Sequence, residues 1–298
     1  MTRYIEDNKQ TFGVEPICRE LEIAPSTFYA ARSRPTSARE LRDVELKVEI
    51  ERVFDQNYRV YGARKAWRQL RREDIDVGRD RVARLMADLG ICGVVRGKKK
   101  RTTIPDPSAP RAPDLACRQW TVARPNRLWV TDFTQVATWS GAIYVAFVID
   151  CYSRMIVGWR SSTTMRTDLV LDALEMAIWR RDELADGLVA HSDAGSQYTS
   201  ITYTERLDEV GAAPSIGSVG DPIDNAVAES TIGLYKTELI RMRGPWRTID
   251  DVEIATLEYV DWFNHRRLHG SAGDVPPAER EAAYYRLQAE TLVLEKQP

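Results

Sequence analysis

Three acidic residues stand in segments where an acid is out of place. Asp132 lies within WVTDFT (129–134), Asp193 within HSDAGSQY (191–198) and Glu229 within DNAVAES (224–230). Drawn together, three carboxylates are unfavourable, since two like charges about 4 Å apart repel by roughly 4 kcal/mol at an effective dielectric of 20. Such a cluster either keeps protons at neutral pH or is offset by cations. Magnesium suits it, as a hard ion that takes one or two carboxylates and fills its remaining positions with water and phosphate oxygens. Two such ions would activate a hydroxyl or water on one side of a phosphodiester and stabilise the leaving oxygen on the other. Taken singly, each acid has a plainer reading: a turn cap at Asp132, loop ordering before Gly195 at Asp193, an exposed helix position at Glu229.

The elements that must position these acids are legible. LWVTDFTQV (128–136), IYVAFVIDC (143–151) and MIVGWRSS (155–162) are β-branched and aromatic, with turns at Ser140-Gly141 and Tyr152-Ser153-Arg154, and predict a three-stranded meander. A helix over 167–181, a strand over 188–192, a helix over 199–210, a strand over 214–216 and a long helix over 223–241 complete an α/β domain with a mixed sheet covered by helices. Asp132 then falls mid-strand, Asp193 just past the fourth strand and Glu229 on the long helix. Asn225 and Lys236 lie four residues before and seven after Glu229, on one helical face. Lys236 either reaches nucleic acid beside the acids or pairs with a glutamate along its own helix.

The first hundred residues read as all-helical. Val14–Glu22, the turn at Ala24-Pro25-Ser26-Thr27 and the short helix after it make a helix-turn-helix pattern, or an ordinary helical hairpin. A second helical pair follows, over Ala66, Trp67 and Leu70 and then Val82, Leu85, Met86 and Leu89. Residues 1–101 carry 23 Lys/Arg against 16 Asp/Glu, whereas 102–298 carry 19 against 28. The density peaks at 58–101, with fourteen basic and five acidic residues. Arg79, Arg81 and Arg84 project from the start of the later helix, as a recognition helix requires; Arg96 and Lys98, Lys99, Lys100 and Arg101 extend the tract. A solvated charged face is the alternative. Pro105, Pro107, Pro110, Pro113 and Pro125 mark an extended linker. The segments expected are therefore a helix-turn-helix-like unit over 1–35, a basic helical DNA-binding domain over 36–101, a linker over 102–125, a catalytic core over 126–270 and a helical tail over 271–298.

Composition excludes other classes. The chain has 298 residues, 43% hydrophobic and 29% charged, with a net charge of −2. Its longest apolar run, Ala142–Ile149, is far short of the roughly 20 residues of a membrane helix. The first 30 residues hold no signal-peptide core, so a cytoplasmic location without membrane contact is expected. The four cysteines and three histidines show neither a zinc-finger spacing nor a disulfide framework.

Several motifs in order resemble one family: WVTDFT, FVIDCYSRMIVGW (147–159), HSDAGSQY, PSIGSVGDPIDNAVAES (214–230), LYKTEL (234–239), and DWFNHRRLH (261–269) followed by Pro276 and Pro277. They resemble the integrase-type catalytic core of bacterial insertion-sequence transposases, and more closely the second-frame product of the insertion-sequence-three group. The 35 residues between Asp193 and Glu229, and a basic residue seven beyond the glutamate, match the family pattern. FGVEPICRELEIAPSTFY (12–29), YGARKAWRQL (61–70) and RVARLMADLGICG (81–93) extend the likeness to the N-terminal half.

The resemblance implies a ribonuclease-H-like fold and two magnesium ions, replaceable by manganese. It implies cleavage at the element's ends to free a 3′ hydroxyl that attacks another strand. Asp132, Asp193 and Glu229 become the catalytic ligands, with Asp132 bridging both metals, and Asn225 and Lys236 support them at the DNA. Asn264, Arg267 and His269 fall on the family's C-terminal pattern and either contact DNA or brace the core. The implied partners are the terminal inverted repeats and target DNA, a homo-oligomer, and the upstream-frame product, at the bacterial nucleoid. Two alternatives stay open: a hydrolytic nuclease of the same fold, and a DNA-binding regulator of a longer frameshifted transposase.

Overall fold

The computed structural model describes residues 1–95, 114–116, 120–181, 187–193, 195, 197–217 and 225–295. Residues 1–51 form one compact unit and 52–298 another, the boundary falling inside a helix. In the first unit, α1 (Thr2–Phe12), α2 (Val14–Glu20) and α3 (Pro25–Ser33) close around Ile5, Ile17, Cys18 and Phe28. Gly13 separates α1 from α2 at φ 77°, a conformation that glycine adopts without steric cost. Pro25 opens α3, where a missing N–H costs nothing. α2 and α3, with the turn between them, are the two short helices expected there. α4 (Ala38–Gln56) follows.

The second unit begins with α5 (Ala63–Arg72) and α6 (Arg79–Asp88), which bury Ala66 and Leu70 of one helix and Val82, Leu85 and Met86 of the other. A five-stranded mixed sheet follows: β1 (Leu128–Thr138), β2 (Gly141–Asp150), β3 (Ile156–Ser162), β4 (Val189–Ser192) and β5 (Ala213–Ile216), in the order β3-β2-β1-β4-β5. β1, β2 and β3 form the antiparallel meander, while β4 and β5 add parallel to β1. This is a ribonuclease-H-like sheet.

Helix α7 (Thr167–Arg180) covers one face, packing Leu169, Val170, Ala173, Leu174 and Ala177 against Trp129, Ala146, Val148 and Val157. Its approach to β3 is close. A Cβ placed on Gly158 would lie 2.0 Å from the Ala173 carbonyl oxygen. α8 (Ile201–Glu209) adds Tyr203 and Leu207 to the same core.

The long helix expected over 223–241 is three pieces among the described residues: α9 (Ala226–Tyr235), a π-helical turn (Lys236–Ile240) and α10 (Arg241–Arg243). The wider turn coincides with three consecutive buried residues, Thr237, Glu238 and Leu239, where a regular helix buries a stripe. α11 (Ile249–His265) starts with a capping box between Thr248 and Asp251, and α12 (Pro277–Glu295) ends the described chain. No helix among the described residues is long and apolar enough to cross a membrane.

The early helices of this unit interlock with its end. The Leu268 N–H donates to the Tyr61 hydroxyl at 2.8 Å, and Trp262 Nε1 donates to Asn57 Oδ1 at 3.2 Å. Tyr61 and Trp262 are both fully buried. Arg64 pairs with Asp274 at 2.7 Å and Arg72 with Glu279 at 2.5 Å.

Candidate active site

Sheet topology brings the first two acids together. β1 and β4 run parallel with Thr131 opposite Ser192, so Asp132 and Asp193 are the next residues along neighbouring chains, which lie about 4.8 Å apart. A single amide brings the third. Asn225, at the N-terminus of α9, is buried and donates its Nδ2 to the Thr131 carbonyl at 3.0 Å. That clasp holds the helix carrying Glu229 against the residue preceding Asp132.

The electrostatics follow from this convergence. Burial first, then the charges of Asp193 and Glu229, push the Asp132 carboxyl up to about 8. The Phe133 N–H, which Asp132 Oδ1 accepts at 2.8 Å, and Lys236 only partly offset them. Asp193 shifts the same way, desolvation outweighing the donated Gly195 N–H. Lys236 faces Asp132 and is itself lowered, by burial first and by Arg241 as well. Beneath the acids lies Tyr198, buried with its hydroxyl unpartnered, in a field set by Asp132 and Asp193.

The donor set fits a hard divalent cation. It holds three carboxylates, an excess of negative charge and a buried, unpartnered Asn225 Oδ1. Among the described residues no three His, Cys, Asp or Glu are drawn closely enough to enclose an ion. The acids therefore share one electrostatic neighbourhood rather than a closed ligand shell.

Other residues singled out by the sequence lie elsewhere. Asn264 is buried and clips β3, its Oδ1 accepting the Ile156 N–H and its Nδ2 donating to the Ile156 carbonyl, both at 2.9 Å. Arg267 is buried in a two-pronged pair with Glu238, at 2.5 and 2.8 Å. His269 packs its ring 4.4 Å from Phe263, and burial beside Arg267 and Lys65 holds it well below the ordinary histidine range. Arg79, Arg81 and Arg84 stand on α6, apart from the elements that carry the acids; Arg79 pairs with Asp80 and Arg84 with Asp88 at the surface. Arg96, Lys98, Lys99, Lys100 and Arg101 lie outside the described residues.

Sequence reasoning missed the clasp of Asn225 on Thr131, the buried Tyr198 and the Glu238–Arg267 pair. Tyr198 alone carried a signal, as an aromatic residue five positions past Asp193 in a polar loop.

Comparison with known proteins agrees with this architecture. Two models, each described as an integrase core domain, match residues 122–222 and 210–277, and a model of an HTH-like domain matches 40–99. A Mycobacterium tuberculosis protein named for insertion sequence element IS986/IS6110 is 57% identical over 270 residues, covering 89% of this chain and 97% of the relative. The transposase for insertion sequence element IS629 of Shigella sonnei is 52% identical over 290 residues, covering 96% and 97%. Among solved structures, the HTLV-2 integrase catalytic core domain in complex with magnesium aligns at TM-score 0.42 and 14% identity, covering 53% of this chain and 97% of that one.

Proposed function

The chain belongs to the integrase-core transposases of bacterial insertion sequences, consistent with the insertion-sequence-three group, and on that footing we propose that it cuts the ends of its own element and joins them to target DNA. Asp132, Asp193 and Glu229 are the metal ligands in this reading, holding two magnesium ions that manganese can replace. When bound, the ions supply charge for the attacking and leaving oxygens of a phosphodiester. The protein supplies the placement. β1 and β4 fix the two aspartates, and the Asn225 clasp sets the glutamate. Lys236 meets the phosphate backbone next to Asp132. The helices over 36–101, with Arg79, Arg81 and Arg84 on α6, grip the element's ends, and the basic tract 96–101 continues that grip. Pairing two ends requires a homo-oligomer, which the upstream-frame product joins.

The observation that carries this reading is the Asp132 carboxyl. Burial and two neighbouring acids raise it to about 8, which marks a site short of positive charge where the central strand β1 passes the end of β4. Perturbed acids of this kind cluster at functional sites.

The test incubates the full chain with a duplex carrying an element end, in Mg²⁺ or Mn²⁺, and resolves the products on a denaturing gel. Joined strands are expected. Asp132→Asn, Asp193→Asn and Glu229→Gln should each lose joining and keep DNA binding. Joining that survives Glu229→Gln would refute the ligand assignment. Cutting without joining would make the protein a hydrolytic nuclease, and binding without cutting a regulator.

A further inference from the structure

β1 does not stop at Asp132. It runs on to Thr138 and turns through Trp139 and Ser140 into β2, with Gly141 at φ 122° closing the hairpin. Six strand residues, 133–138, separate Asp132 from Trp139, a span of seven steps or about 23 Å at ~3.3 Å per residue. The tip is stapled to the chain that leaves α10: the Trp139 N–H donates to the Trp246 carbonyl at 3.0 Å and the Ser140 N–H to the Arg247 carbonyl at 3.1 Å. Trp246 in turn donates its Nε1 to the Ile240 carbonyl at 3.0 Å. The hairpin and the end of the Glu229 helix therefore form one rigid arm beyond the acids.

The arm ends in a largely exposed aromatic ring. Trp139 is 69% exposed, and Arg247 lies over its ring at 5.4 Å. Among the described residues no other cation or ring stacks on it. A backbone staple does not need an indole, and a ring of this size left in water forgoes a large apolar contact. The surroundings are basic within an acidic half of the chain. Residues 236–247 contain Lys236, Arg241, Arg243 and Arg247 against one acid, Glu238. Glu238 is buried against Arg267, and Arg243 is engaged by Glu258 and Tyr58, so Arg241 and Arg247 set the charge of the surface. Beyond Arg247 stand two acids of the first turn of α11: Asp250, which is exposed, and Asp251, which is held in the helix cap. Arg241 also stands close enough to Lys236 to lower its affinity for a proton.

We propose that Trp139 with Arg247 and Arg241 forms a DNA-binding shelf, on which the strand leaving the acids lays its phosphates along Lys236, Arg241 and Arg247 and stacks an unpaired base on Trp139. This rests on the reading of the acids as a strand-cutting site. A row of cations beside an exposed indole matches a polyanion that carries π-faces, whereas an apolar partner would leave the arginines unmatched. At ~3.4 Å per stacked nucleotide the 23 Å reach corresponds to about seven nucleotides from the scissile phosphate, and to fewer when the strand is extended.

The experiment uses the full chain and an end-containing DNA with a single-stranded flank, carrying 2-aminopurine at each position from three to eight nucleotides beyond the cut. Quenching at one or two adjacent positions is expected on binding. Trp139→Ala should abolish it and weaken binding roughly tenfold, within the range of one base stack. Trp139→Phe should restore most of both. Arg247→Gln should lower the slope of log affinity against log salt by about 0.7, one phosphate contact on a single strand. Unchanged affinity and quenching in Trp139→Ala would overturn the shelf, as would a variant that altered only the sedimentation of the protein alone. The two readings fail separately. Joining by the parent chain with an inert Trp139 removes the shelf only, and stacking without joining removes the chemistry only.

Discussion

Replacing Arg267 by methionine tests whether the C-terminal pattern is a brace or a DNA contact. Arg267 is 4% exposed and Glu238 6%, and the pair is closed by two hydrogen bonds of 2.5 and 2.8 Å. Tyr259 donates its hydroxyl to the same carboxylate at 3.1 Å, and the rings of Trp262 and Phe263 lie 5.9 and 5.5 Å from the guanidinium. Removing the arginine strands a carboxylate among aromatic side chains, where breaking a buried pair costs about 3–5 kcal/mol. At roughly 2–4 °C per kcal/mol for a unit of this size, the melting temperature should fall by about 6–20 °C. The double variant Glu238→Leu/Arg267→Met removes both charges, and it should recover most of the loss because the pair's own attraction largely repays desolvation. Urea and thermal unfolding followed by tryptophan fluorescence measure the parent, Arg267→Met, Glu238→Leu and the double variant. A loss below ~1 kcal/mol in Arg267→Met, or a double variant as unstable as the two singles added, refutes the argument. A reduced salt slope of DNA binding at unchanged stability would return Arg267 to the DNA.

Two further perturbations follow from the packing. Burial, and then the like charge of Arg267, lower Lys65 to about 8, with Glu238 and Asp274 opposing. The unfolded chain therefore holds more protons than the folded one between about pH 8 and 10.5, and stability should rise with pH across that window. Lys65→Met should stabilise the protein at pH 7 by up to roughly 3 kcal/mol, converting the shift at 1.36 kcal/mol per unit. The gain should vanish by pH 10.5, and a gain independent of pH in melting curves would contradict the cause. Gly158→Ala places a methyl 2.0 Å from the Ala173 carbonyl oxygen and 2.9 Å from the Ala177 Cβ. It should cost about 1–3 kcal/mol in urea unfolding, as overpacking does. Adding Ala177→Gly should not rescue it, because the nearer obstacle is backbone.

The strands were legible because each has β-branched and aromatic runs broken by turn residues, and that pattern reports burial on a sheet directly. The pairing of Asp132 with Asp193 follows almost as directly, since a strand, a crossover helix and a parallel strand leave few registers. What joins Glu229 to them was not legible. An asparagine that donates to a carbonyl 94 positions away leaves no periodic trace. Asn264 clipping Ile156 across 108 positions is another case. The π-turn was missed for a related reason. Its sequence, KTELI, has ordinary helical propensity, and the turn is seen only where Glu238 is buried against Arg267 from the segment after α11.

The fold divides the basic residues of 58–101 into groups with different surroundings. Of the fourteen basic residues of 58–101, α5 directs three at acids of the C-terminal segment. Arg64 and Arg68 converge on Asp274, at 2.7 and 3.4 Å, and Arg72 meets Glu279. Asp274 is largely covered, with 12% of its side chain exposed, so its pairing with Arg64 and Arg68 is less screened than an open surface pair. The pairs of α6 differ. Arg79 with Asp80 and Arg84 with Asp88 are exposed and local, the class of contact worth least in water and most readily exchanged for a phosphate. The basic character of α5 is thus largely an attachment of the early helices to the catalytic unit, together with the buried Tyr61 and Trp262. A fragment cut after α6 would expose Trp262 and leave Asp274 and Glu279 unmatched, so α5 and the sheet with its C-terminal helices are parts of one packed unit.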